Sequence, residues 1–174
     1  MMKLVSAARG AMLALGLSAF WAVPAALPAS AQAVVEVDED VIVGILKSEG
    51  LKAEIGYDED TGAPYVATYW EKLKANFEVR LDACDEDGFF CEVMVFNAGF
   101  YFDKEPDATA THEKINEWNR NNWGKAYVDD EGTMWISIEN NIVGGMTKDN
   151  IVDTLHWFES MMTDYTTFID WQAN

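Results

Sequence analysis

From Phe77 to Phe100 the chain carries a hairpin whose register is readable from its residues. Phe77, Val79, Leu81 and Ala83 alternate with Glu78, Arg80, Asp82 and Cys84, a period of two that leaves one face dry. Asp87-Gly88 is a tight-turn pair. A turn centred there pairs residues whose numbers sum to 175, so Leu81 faces Met94, Val79 faces Phe96 and Phe77 faces Ala98. All six fall on the apolar face, and a slip of one residue would turn each of them to water. The same register sets Cys84 opposite Cys91. Opposed residues in an antiparallel pair lie about 4.5–5.5 Å apart, within reach of a bridge. A Cys84–Cys91 disulfide is therefore expected, contributing about 2.5 kcal/mol by chain entropy. A thioredoxin-like redox pair needs two intervening residues and a helix start, and zinc needs two more ligands. His112 and His156 are distant in sequence and fall on separate helices, so no metal is expected.

The first residues differ from the rest. Lys3 and Arg9 give a positive start, Ala11 to Ala22 is apolar without a charge, Pro24 and Pro28 break the run, and Ala29-Ser30-Ala31 supplies small residues. That order is a secretory signal peptide, expected to occupy residues 1–31 and to be cleaved after Ala31. The apolar run is too short for a spanning helix of about 20 residues, and no later stretch is longer, so no stable membrane insertion is expected after cleavage. Cleavage leaves 143 residues (174 less 31) and moves the formal charge from −18 to −20, because Lys3 and Arg9 are lost. A chain of that size makes one domain. Such a charge repels nucleic acid and anionic lipid and suits cationic partners, divalent ions or, as the first reading, plain solvation of the surface. The expected location is the bacterial periplasm or the outside of the cell, where a bridge persists.

Other elements follow from local signals. Residues 32–37 read as a short leader and 38–174 as the domain. Asp38 caps an amphipathic helix over 39–49, with Glu39 and Asp40 in its first turn and Gly50 after it. Ala53–Tyr57 and Pro64–Trp70 read as strands about an Asp-rich turn. Asp107 or Thr109 caps a helix near 110–122. Ala126–Val128 and Met134–Glu139 are strands, and Thr147 caps a final helix on which Ile151, Leu155, Phe158 and Met162 are spaced for burial. The order is α-ββββ-α-ββ-α: an α+β fold with an antiparallel sheet of about five to six strands and helices covering it.

Four motifs then stand in one order: Asn97-Ala98-Gly99-Phe100 after the cysteines, Ile115-Asn116-Glu117-Trp118-Asn119, Lys125-Ala126-Tyr127-Val128-Asp129, and Gly144-Gly145 before the last helix. Together they resemble the YbjN family of bacterial proteins, over roughly residues 38–165. The resemblance implies a fold similar to type III secretion chaperones and a family described as sensory-transduction regulators. It brings no catalytic residues, only a binding role. The motif residues of open role are Gly99, Phe100, Asn116, Trp118, Asn119, Tyr127, Asp129, Gly144 and Gly145.

Candidate chemistries fall away one by one. The acidic turns fail the EF-hand pattern, because counting back from Gly62, Gly88 and Gly132 puts Tyr57, Ala83 and Tyr127 where the first acid belongs, which leaves only weak, low-affinity calcium binding open to them. Ser48, Ser137 and Ser160 lie in no nucleophile elbow. Gly144-Gly145 lacks the lysine and spacing of a phosphate loop. His112 reads as a surface residue and His156 as a core-edge residue, and most tryptophans read as core. Trp135 alternates with Met134 and Ile136, so it points away from their face. With Tyr127 on the neighbouring strand it makes either a partner surface or core beneath a helix. The expectation is a non-enzymatic binding or chaperone-like module without a cofactor, acting through a protein partner or as a homodimer. An envelope signalling or stress regulator is the alternative, and a hydrolase of unrecognised chemistry comes third.

Overall fold

A computed structural model describes residues 33–86, 90–102 and 107–173. The expected signal peptide and the Asp87-Gly88 turn lie outside these residues. Among the described residues are three helices and an open, wholly antiparallel sheet of six strands. β1 (Val34–Val35) precedes α1 (Glu39–Ser48). Then come β2 (Lys52–Tyr57), β3 (Pro64–Trp70), β4 (Ala75–Asp82) and β5 (Val93–Phe100). α2 (Ala108–Asn121), β6 (Lys125–Val128), β7 (Met134–Asn141), β8 (Met146–Thr147) and α3 (Lys148–Phe168) complete the chain. The sheet order is β2-β3-β4-β5-β7-β6, and β1 pairs separately with β8.

The hairpin register is as expected: Leu81 faces Met94 and Val79 faces Phe96. Cys84 and Cys91 are bonded, with Cα atoms 3.8 Å apart. They sit beyond the last ladder pair, Asp82 with Val93, because Ala83 leaves the strand with φ of 53°. Ala83 is therefore exposed rather than on the dry face. The Asp85 N–H still donates to the Phe90 carbonyl at 2.9 Å, which carries the pairing toward the turn.

The helices begin where short polar side chains accept from free backbone N–H groups. Asp38 accepts from Val41 at 2.7 Å, Asp107 from Ala110 at 2.9 Å and Thr147 from Asn150 at 3.2 Å. Their apolar sides bury one face of the sheet. Phe158 on α3 meets Phe77 and Phe96 with ring centroids 5.5 and 5.6 Å away. Further along the same helix, Tyr165 meets Phe100 at 5.7 Å and Trp118 of α2 at 4.9 Å. Ile151, Leu155 and Met162 are buried in the same core.

Two short strands escaped periodicity. Within the expected leader, Val34 and Val35 pair with Thr147 and Met146. Gly145 makes this possible: it sits at φ of 85°, and a Cβ there would stand 2.5 Å from the Val35 carbonyl oxygen, closer than any side chain allows. Gly144 before it is also left-handed, at φ of 83°.

Candidate functional site

Alternation leaves the other sheet face without a helix among the described residues. The residues opposite the core on β3 to β7 include Tyr65, Glu78, Arg80, Asn97, Trp135 and Tyr127, brought into rows by the strand register. One row runs Tyr65, Arg80, Val95, Glu139; the next runs Ala67, Glu78, Asn97, Ser137, Lys125; Gly99, Trp135 and Tyr127 lie in the third.

These side chains interlock. Arg80 Nε donates to Glu78 at 2.6 Å, and its guanidinium reaches Asp58 in the β2–β3 turn at 3.4 Å. The same guanidinium lies 5.1 Å from the centre of the Tyr65 ring, a cation–π distance. Asn97 Nδ2 donates to Glu78 at 3.4 Å and its Oδ1 accepts from the Tyr127 hydroxyl at 3.3 Å. Hydrogen bonding to Glu78 raises the pKa of Arg80 further. Burial pushes that of Tyr127 above its ordinary value, outweighing the opposing bond to Asn97. Tyr127 therefore stays a neutral donor throughout the physiological range.

Trp135 and Tyr127 stack at 6.1 Å with planes 6° apart. The indole N–H donates to Asp129 at 2.7 Å. Desolvation pulls the Asp129 carboxyl upward, but donors from Trp135, Thr133 and Glu131 together hold it below the usual carboxylate value. Gly99 lies opposite Trp135, and a Cβ there would stand 2.9 Å from an indole ring carbon. Glycine at 99 thus lets the indole lie down on the sheet. Two shallow hollows of about 540 and 730 Å³ flank this array, and Trp135, Asn97 and Glu78 line both.

Tyr127, Trp135, Asp129 and Gly99, singled out from the sequence, therefore meet on this open face. The others do not join them. Phe100 and Trp118 are buried in the core, and Asn116 is exposed with nothing in the structure to give it a role. Asn119 supports the fold instead. Its Nδ2 donates to the Ala126 carbonyl at 2.9 Å while its Oδ1 accepts from the Ala126 N–H at 2.7 Å. One amide thus satisfies both outward groups of Ala126 as a neighbouring strand would. Sequence reasoning missed Arg80, Glu78, Asn97 and Asp58; the one available signal was a lone arginine between acids on an otherwise alternating strand.

Two further expectations need correction. His156 is exposed, 3.7 Å from Glu49, rather than at the core edge. Of the tryptophans of the domain only Trp118 is fully buried, whereas Trp123 and Trp157 are exposed and touch each other at 6.3 Å. Trp157 lies off the stripe of α3 that Leu155 and Phe158 bury, and Trp123 stands in the turn after α2.

Cys84 and Cys91 border a separate hollow of about 620 Å³, with Val37, Phe90 and Ile142 on its walls. Among the described residues no group of acids, histidines and cysteines could hold a metal, and no helix is long and apolar enough to cross a membrane.

A sheet with one helix-covered face and one open, pre-bonded aromatic and polar face defines a regulatory or binding module. The chain belongs to the YbjN family, whose description reads "Putative bacterial sensory transduction regulator", matched over residues 38–171. Among solved structures it is similar to that titled "Crystal structure of YbjN, a putative transcription regulator from E. coli". The TM-score is 0.50 and the identity 12%, over 72% of this chain and 85% of that one. At that identity the likeness concerns the fold. No curated protein sequence matches the chain.

Proposed function

We propose that the protein is an exported, non-enzymatic binding module that holds a segment of a protein partner on its open sheet face. The observation that carries this is the array of Tyr65, Arg80, Glu78, Asn97, Tyr127 and Trp135 on a face that no described helix covers. A merely solvated face needs no interlocked rings and amides. Here the side chains are already ordered, so this face loses little rotamer freedom when a partner docks. Around them Asp82, Asp129 and Glu139 outnumber Lys125, which favours a segment bearing basic and apolar side chains. The three-part order of residues 1–31 and the bridged cysteines support export, and Ser137, buried with its hydroxyl on the Lys125 carbonyl, supports a non-catalytic role. No cofactor is invoked. A chaperone-like carrier of several clients fits this face; the family's description favours the second reading, a regulator serving one envelope partner.

The test is a photo-activated crosslinker placed at Lys125 on the open face and, as a control, at Asp153 on α3. Crosslinking in living cells followed by pull-down is expected to capture protein from position 125 and little from 153. Many captured proteins favour the carrier and one membrane sensor the regulator. Equal capture from both positions, or none from 125, removes the reading.

A further inference from the structure

On the helix-covered side of the domain Trp123 and Trp157 stand 79% and 60% exposed. Their contact is built into the fold. Gly124 follows Trp123 at φ of 78°, and a Cβ there would collide with Met161 of α3 and stand 3.0 Å from the Ser137 carbonyl oxygen. Glycine thus seats the turn after α2 directly on α3. The Trp123 ring comes to 6.3 Å from that of Trp157, with the planes 73° apart. The two indoles line a hollow of about 270 Å³ whose wall also includes Asp164. We propose that this corner binds the alkylated ammonium group of a small organic cation.

Shape and charge select that class. A carbohydrate ring stacks on one flat indole, whereas planes 73° apart offer a compact group two aromatic surfaces at once. A cation is attracted to the face of an indole within about 6 Å of its centre. The Asp164 carboxylate has no hydrogen bond or ion pair among the described residues, so it is free to neutralise a bound charge. Asp153, Trp157, Ser160 and Asp164 follow at helical spacing along the exposed side of α3. An acid therefore stands one turn before the Trp157 ring and another two turns after it. Among the described residues no lysine or arginine lines the hollow, and His156, which does, lies 3.7 Å from Glu49. A bare metal ion needs several oxygen or nitrogen ligands, and the described residues gather no such group. The volume falls below the about 300–1,000 Å³ of clefts that enclose larger ligands, which suits a single ammonium head. The site lies apart from the open sheet face and does not depend on the binding proposed there.

The test is magnetic resonance of the indole N–H groups as the protein is titrated with choline chloride, with sodium chloride as the ionic-strength control. The Trp123 and Trp157 signals, assigned from Trp123→Leu and Trp157→Leu, are expected to move saturably with choline while those of Trp70 and Trp135 stay. The neutral isostere of choline, with a tert-butyl group in place of trimethylammonium, is expected to bind at least about fivefold more weakly. Trp157→Leu and Asp164→Asn should each weaken choline binding by a similar factor. Both side chains are exposed, and an unmoved Trp135 signal reports that each variant is folded. No saturable shift with choline overturns the proposal. So does equal affinity for the isostere, either variant binding as the wild type does, or tighter binding of glucose than of choline at the same two indoles.

Discussion

Asn119→Ala separates two accounts of one residue by the sign of its effect. Asn119 lies in the last turns of α2, where alanine is the better helix former by roughly 0.6 kcal/mol. A residue serving only the helix would therefore gain stability on substitution. In the structure its amide makes two bonds to Ala126, at 2.7 and 2.9 Å, and Ala126 is 2% exposed. Each such bond is worth about 1 kcal/mol net, and an orphaned buried group costs about 1–3 kcal/mol. Loss of both, offset by the propensity gain and by water reaching the vacated site, leaves a net destabilisation of about 1.5–2 kcal/mol. At an m-value of about 2 kcal/mol/M for a small domain in urea, the midpoint should fall by about 1 M. Asn119→Asp keeps the acceptor for the N–H but sets a carboxylate against the carbonyl, so it should be no better than alanine. Urea titration followed by tryptophan emission reads all three proteins. A midpoint for Asn119→Ala equal to or above wild type would refute the strand-substitute role.

Three other expectations are direct. Cys84→Ser with Cys91→Ser opens a loop whose ends are 7 residues apart and should cost about 2.5 kcal/mol; an unchanged melting temperature, or one insensitive to reductant in the wild type, contradicts this. Gly99→Val should lift the Trp135 indole off the sheet, red-shift its emission and lower stability by about 1 kcal/mol; an unshifted spectrum would mean that the ring does not lie against Gly99. Because the Asp129 carboxyl is held below its ordinary value of 3.8, its contribution is present above that value and lost as pH falls through the lowered one. The stability gap between wild type and Asp129→Asn should be widest near neutral pH and close in acid, and a gap independent of pH argues against the bond to Trp135.

The hairpin was legible because three local signals agree: the alternation from Phe77, the Asp87-Gly88 pair and the spacing of the cysteines. Trp135 was legible only in part. Parity with Met134 and Ile136 said which way it points, but not that the Asp129 carboxylate receives its N–H, since Asp129 already reads as ordinary turn chemistry. Asp58 hides in the same way: it accepts from Thr61 within its own turn while also meeting Arg80. In a chain with 30 acids, no single carboxylate stands out. Asn119 was beyond reach because its partner lies seven residues on, past a change of element. β1 and β8 are two residues each, too brief for any period to register.

The position of α3 in the chain sets an order of events during synthesis. All six sheet strands have been made by Asn141, yet the helix that supplies Ile151, Leu155, Phe158, Met162 and Tyr165 to their bare apolar side is the last element to emerge. Until then α1 and α2 supply only part of the helical layer, and Phe77, Phe96 and Phe100 lack the Phe158 and Tyr165 rings that pack on them. The core of the domain can therefore close only after every strand of the sheet has been made.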